Sequence, residues 1–206
     1  GNLLIVNEEG DVNDINDNFT AESVFDSIGD YIVNAVIEET VMGNGVLRHR
    51  TATYNNKGSI DTLRFSANTG ADAEYNFKYD SYGNMTRVTY PANHWGQRYF
   101  ITYSYDSITQ SLPTSVTNAY GLSSSTRFDY RWQKPVLSIN VNGSLTEWQY
   151  DDKGRPIAVY APFEYGSSTP TIYYDYNDSS RHNSQYWNNR HWVAYTMNHN
   201  DGSQYI

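Results

Sequence analysis

One stretch, Phe77-Lys78-Tyr79-Asp80-Ser81-Tyr82-Gly83-Asn84, recurs along this chain, and no other feature limits the available folds as strongly. Trp148-Gln149-Tyr150-Asp151-Asp152-Lys153-Gly154-Arg155 is a close copy. Looser copies begin at Tyr54, Tyr105, Tyr130 and Tyr174, with successive tyrosines 20 to 26 residues apart. A period of this size marks a repeat architecture, in which one supersecondary unit is copied and each copy packs on its neighbours.

Aligned on the tyrosine, the copies carry Ala52, Phe77, Tyr103, Phe128, Trp148 and Ile172 two residues earlier. Nine residues later come Leu63, Val88, Ile139 and Val159, and eleven later Phe65, Tyr90, Val141 and Ala161. In the copy at Tyr105 the matching Val116 falls two residues further on, which predicts an insertion in that turn. These offsets fit a period of two on either side of a turn, so each copy predicts two antiparallel strands with one apolar face.

The turns have their own chemistry. The residue after the tyrosine is Asn55, Asp80, Asp106, Arg131, Asp151 or Asp175, and an Asx side chain there holds the chain by accepting from backbone amides ahead of it. Gly58, Gly83 and Gly154 stand four residues after the tyrosine, where a positive φ costs glycine nothing. Thr109, Lys134 and Asp178 break that pattern, so those turns are expected to differ. A second turn closes each copy at Asn68-Thr69-Gly70, Asn93-His94-Trp95-Gly96, Asn118-Ala119-Tyr120-Gly121 and Asn142-Gly143, the last a strong hairpin signal. The expected fold is all-β: a long antiparallel meander of hairpins with an aromatic face. Period alone does not fix how the sheet curls, which leaves a β-propeller or a sandwich as the alternative.

The segments Tyr79-Asp80-Ser81-Tyr82-Gly83, Tyr150 to Pro156 and Leu112 to Gly121 resemble the YD repeats of the Rhs family. Such repeats also occur in teneurins and in the B components of bacterial insecticidal toxin complexes. The resemblance runs from about Tyr54 to Tyr176. It implies a curved, twisted sheet that is part of a spiral shell around a toxic C-terminal polypeptide, with this chain as a non-catalytic segment of a larger, secreted or cell-surface bacterial protein. The signature residues are then structural: Tyr54, Gly58, Tyr79, Asp80, Gly83, Tyr105, Asp106, Tyr130, Tyr150, Asp151, Gly154, Tyr174 and Asp175. The partners it implies are the rest of the shell and the enclosed polypeptide. Two sheet edges in an isolated segment would favour self-association.

Along the chain we expect one repeat domain over 1–206. It divides into a non-repeat segment (1–30), a hairpin (31–53), the YD repeats (54–176) and a polar partial repeat (177–206). In the first segment Thr20 reads as the cap of a short helix through Ser27, ended by Gly29. The Asp- and Asn-rich loop at 10–18 lacks the spacing of a calcium loop. Tyr31 to Val41 reads as a strand, Gly43-Asn44-Gly45 as a hairpin turn and Val46 to Tyr54 as the return. On that return Arg48, His49 and Arg50 are read as its solvent side. Trp192 to Met197 reads as a last strand.

Composition narrows the function. The formal net charge is −9, with no basic run, which disfavours a nucleic-acid partner. There is no cysteine, and no apolar run approaches a membrane span, so no membrane insertion is expected. The five histidines (His49, His94, His182, His191 and His199) have no metal-site spacing, and no phosphate-binding loop or nucleophile elbow appears. Nothing resembles the self-cleaving aspartate segment of some Rhs-type proteins. The expectation is no enzyme, no metal and no cofactor. The alternative function is a carbohydrate-binding or adhesion module at the cell surface, with Trp95, Trp132, Trp187 and Trp192 stacking on the glycan. Trp148, in phase with Phe77 and Phe128, is expected to face inward.

Overall fold

A computed structural model describes residues 2, 4–11, 13–14, 17–67, 72–176, 194–198 and 204–205. The elements are all strands: β1 (Ile5–Glu8), β2 (Phe19–Ile28), β3 (Ile32–Gly43), β4 (Val46–Tyr54), β5 (Ile60–Ala67), β6 (Ala73–Tyr79), β7 (Met85–Ala92) and β8 (Arg98–Tyr105). They continue as β9 (Pro113–Asn118), β10 (Ser123–Asp129), β11 (Lys134–Ile139), β12 (Leu145–Tyr150), β13 (Pro156–Tyr160), β14 (Ile172–Tyr176), β15 (Ala194–Asn198) and β16 (Gln204–Tyr205). Strand order is chain order, without a crossover. That is the order of an antiparallel meander, not of propeller blades or of two packed sheets.

The chain forms two compact units. The first is Gly1–Tyr103 with Asn118–Tyr120, and the second is Ser104–Thr117 with Gly121–Ile206.

In the first unit the pairing registers sort the side chains by face. Ala52, Leu63 and Tyr75 stand in one line across β4, β5 and β6. Phe77, Val88 and Ile101 continue that face across β6, β7 and β8. The opposite face carries Thr53, Thr62, Asn76 and Thr89 in line. Alternation in the sequence thus becomes an apolar face and a polar face. On the apolar face the rings of Phe65, Tyr75, Tyr90, Tyr99 and Tyr120 form a chain with centroids 5.6 to 6.1 Å apart. Edge-to-face pairs at this spacing contribute about 0.5–1.5 kcal/mol each beyond their buried area. On the polar face Arg64 pairs with Glu74, and on the apolar face Arg50, opposite Phe65, pairs with Glu39, each ion pair crossing strands at 2.5 Å.

Burial is shallow. Among the described residues the buried apolar side chains are Ala35, Val88 and Ala158, and no large side chain is wholly buried. Half-buried rings and strand ladders therefore carry the stability of each unit, rather than a thick core.

Residues 20–28 differ from the sequence reading. They are strand β2, not a capped helix, and pair with β3 from Thr20–Met42 to Ile28–Ile32. Ala21 and Glu22 favour a helix locally, but Ala21, Ser23 and Phe25 alternate on one side and Val24, Phe25 and Ile28 favour a strand. The long β3 ladder supplies the partner that overrides local propensity. The turn after β3 is a two-residue hairpin in which Asn44 and Gly45 both have positive φ, 46° and 73°. On β4 the basic triplet alternates faces rather than sharing one: Arg48 and Arg50 are exposed, while His49 is half-buried against Glu38 at 2.9 Å.

Candidate functional site

The recurrent Tyr-Asx turns are densely hydrogen-bonded polar constructions. Asp80 accepts from the backbone amides of Tyr82 and Asn84, both at 2.9 Å, and from the Asn84 side chain. The Gly83 amide closes the loop onto the Asp80 carbonyl, with Gly83 at φ 92°. Asn55 and Asp151 repeat the construction. Asn55 accepts from Lys57 and Ser59, Asp151 accepts from Lys153 and Arg155, and Gly58 and Gly154 close the loops. The same geometry also builds the turns on the other side. Asn93 accepts from Trp95 and Gln97, and Asn140 accepts from Asn142 and Ser144. The cap of the Asn142-Gly143 turn is therefore Asn140, and the loop is longer than a two-residue hairpin. One residue of positive φ at its end reverses the chain with the strand twist the sheet needs.

These carboxyls are held below their ordinary values. For Asp80 the largest cause is the hydrogen bond from the Asn84 side chain. For Asp106 and Asp151 burial pushes upward, and amide donors outweigh it. Asp106 is 5% exposed and accepts from the amides of Ile108, Thr109, Ser111 and Leu112 and from the Thr109 hydroxyl. Its turn has no glycine and carries the insertion, and Gln110 takes the positive φ, 56°. Asp151 gains an ion pair to Arg155 at 2.7 Å.

The signature tyrosines join one hairpin to the next. The Tyr79 hydroxyl donates to the Ile60 carbonyl at 3.0 Å, Tyr150 to Pro135 at 2.7 Å and Tyr54 to Val36 at 2.8 Å. Burial raises Tyr79, Tyr150 and Tyr176 above the ordinary tyrosine value. Cations return the link in the opposite chain direction. Lys57 donates to the Ser81 carbonyl, Arg131 to Asp152 and Lys134 to Gly154. The sequence reading missed these cations. Their only signal was a Lys or Arg within two residues of the turn's positive-φ residue.

Two looser copies sit in a different frame. Phe128 and Asp129, not Tyr130 and Arg131, occupy the place of Tyr79 and Asp80. The bulge falls between Arg127 and Phe128, and Asp129 accepts from the amides of Arg131 and Trp132. Tyr130 lies in the turn itself, and Gln133 supplies the positive φ, 53°. In the last copy Tyr174 and Asp175 lie inside the β14–β15 ladder. Tyr176 takes the signature place, beneath the Arg155 guanidinium at 4.3 Å as Tyr150 lies beneath the Lys134 ammonium at 5.6 Å. Both offsets are two residues, which keeps side chains on the same face and hides the shift from a pattern of alternating aromatics.

The tryptophans divide by environment. Trp132 is half-buried, lies against Gly154 and is stacked by Arg131 at 4.5 Å. Trp95 is 74% exposed, with His94 as its ring neighbour. Trp148 is half-buried and lines a shallow hollow with Trp132, Tyr150 and Ile157. Trp187, Trp192 and Asp178 lie outside the described residues, as does the Asn68-Thr69-Gly70 turn. In the Asp-rich loop Asp11 accepts from Asn13, and Asp17 from the Asp11 amide. Among the described residues no group of His, Asp and Glu is placed to hold a metal ion.

No protein-family model matches the chain, and no curated protein matches its sequence. Solved structures do match. The crystal structure of TcdB2-TccC3 aligns over 75% of this chain and 12% of that one, with TM-score 0.54 and 10% identity. TcdB2-TccC3-Cdc42 aligns over 69% and 11%, with TM-score 0.53 and 9% identity. The likeness is one of fold. A Tc holotoxin pore of Photorhabdus luminescens aligns at TM-score 0.44 and 12% identity over 88% and 11%, too low to weigh. This chain spans about one tenth of the length of each structure it matches.

Proposed function

We propose that this chain is a non-catalytic segment of wall in a bacterial YD-repeat shell that encloses a toxic C-terminal polypeptide for delivery. The observation that carries the reading is the shared fold with TcdB2-TccC3 over 75% of the chain. The joints described above support it. Turn carboxylates shape each hairpin, while tyrosine hydroxyls and turn cations fasten hairpin to hairpin, which is the work a continuous wall requires. In this reading the repeats form one structural domain, and its partners are the rest of the shell and the enclosed polypeptide. Electron microscopy of the complete gene product tests it. A hollow particle with density inside supports the reading, and a solid or extended particle without a cavity overturns it.

A second reading, a carbohydrate-binding or adhesion module at the cell surface, is favoured by one observation. Trp95 stands exposed on an ordered turn, where an indole face is available to a sugar ring. Glycan-array binding lost in Trp95→Ala would support it, and an array without signal would remove it.

A further inference from the structure

The connection between β13 and β14, residues 161–171, breaks the pattern of short Asx turns in the second unit. It is nonetheless tightly ordered. The buried Thr171 hydroxyl accepts from the Ala161 amide at 2.8 Å and donates to the Glu164 carboxylate at 2.7 Å. Two successive turns close through Glu164 to Ala161 and Ser167 to Glu164, and the Ser167 hydroxyl donates to the Thr169 carbonyl. This framework holds Phe163 at 98% exposure, with Tyr165 at 42% beside it. The Asn140 turn, at the same end of β11 and β12, presents an exposed Val141. Single exposed apolar residues are ordinary on protein surfaces. A phenylalanine held clear of the surface by a hydrogen-bonded loop is a different arrangement, because the ordering cost of an anchor is met before any partner arrives.

Charge narrows the partner. Residues 137–147 and 159–173, at this end of the unit, contain Glu147 and Glu164 and neither lysine nor arginine. An anionic lipid surface or a nucleic acid would be repelled. The matching surface is apolar at its centre and basic at its rim.

We propose that the 161–171 loop is a docking element. Phe163 is its anchor, Tyr165 and Val141 flank it, and its partner is a protein surface bearing an apolar pocket edged by Lys or Arg. The inference does not depend on the shell reading. Selection of a random twelve-residue phage-displayed peptide library on the full chain tests it. The expected result is enrichment of peptides that combine apolar residues with Lys or Arg. Their affinity should fall roughly tenfold or more for Phe163→Ser. It should fall less for Val141→Ser and weaken as salt is raised. Both side chains are exposed, and matching circular dichroism and melting confirm that the variants keep the fold. Selected peptides that bind Phe163→Ser as tightly as the parent, or that lack basic residues, would overturn the proposal. So would binding of the chain to phosphatidylcholine–phosphatidylserine vesicles through Phe163.

Discussion

Replacing Tyr79 by Phe removes one atom and one interaction, the hydroxyl donated to the Ile60 carbonyl at 3.0 Å. The ring stays, so its place opposite Met85 and the bulge at Lys78 and Tyr79 are retained. A net hydrogen bond of this kind contributes about 1 kcal/mol, and more where the acceptor is left dry. Tyr79 is half-buried, so water reaches part of the joint and the expected loss is about 1 kcal/mol. For a chain of this size that lowers the melting temperature by about 2–4 °C. Tyr150→Phe removes the equivalent bond to Pro135, shares no partner with Tyr79 and should add to it, giving about 2 kcal/mol for the pair. Tyr82→Phe is the control, since that side chain is 65% exposed and should cost less than about 0.5 kcal/mol. Urea unfolding gives the free energies, and amide exchange at Gly58 to Ile60 locates the loss in the neighbouring hairpin. If Tyr79→Phe and Tyr150→Phe cost no more than Tyr82→Phe, the hydroxyls are not joints and the coupling of hairpins must come from elsewhere.

The glycines give a second contrast. Gly83→Ala should cost about 1 kcal/mol from its positive φ alone, because nothing lies near the added methyl group. Gly154→Ala should cost roughly 1–3 kcal/mol more, because a methyl group there would meet the Trp132 ring, and chemical denaturation of the two variants separates the terms. Asp80, Asp106 and Asp151 have folded values below the unfolded value of about 3.9. Their stabilisation is full above that value and is lost as pH falls through the folded values, so melting temperature should drop below about pH 4. A melting temperature unchanged from pH 5 to pH 2 would contradict this. At the alkaline end Tyr79, Tyr150 and Tyr176 have raised values, so their contribution is lost as pH rises past about 10. Absorbance of tyrosinate should show a late-titrating group of tyrosines that ionise with unfolding and titrate normally in urea.

Much of this architecture was legible from alternation and turn chemistry, because both act over a few residues. The strand from Val46 to Tyr54, the hairpin at Asn44 and Gly45, and the altered geometry around Thr109 and Lys134 all follow from local rules. What was not legible depended on partners far along the chain. β2 begins with helix-favouring residues, and its pairing with β1 and the long β3 settles it as a strand. The frames of the copies at Phe128 and Tyr176 are set by where the bulge and the next turn fall, not by which aromatic comes first. The tyrosine hydroxyls and turn cations bond to backbone carbonyls 15 to 24 residues away, and a carbonyl leaves no mark in a sequence.

The two-residue offset at Phe128 has an evolutionary consequence. Which side of the sheet a residue occupies depends only on the parity of its position within the strand. Insertions and deletions in pairs therefore leave the aromatic side intact, while a single-residue change within a strand turns every later side chain over unless a bulge restores it. Copies of such a hairpin can diverge in length by even steps and still align with their neighbours. Detectable periodicity should consequently decay along the chain faster than the fold does.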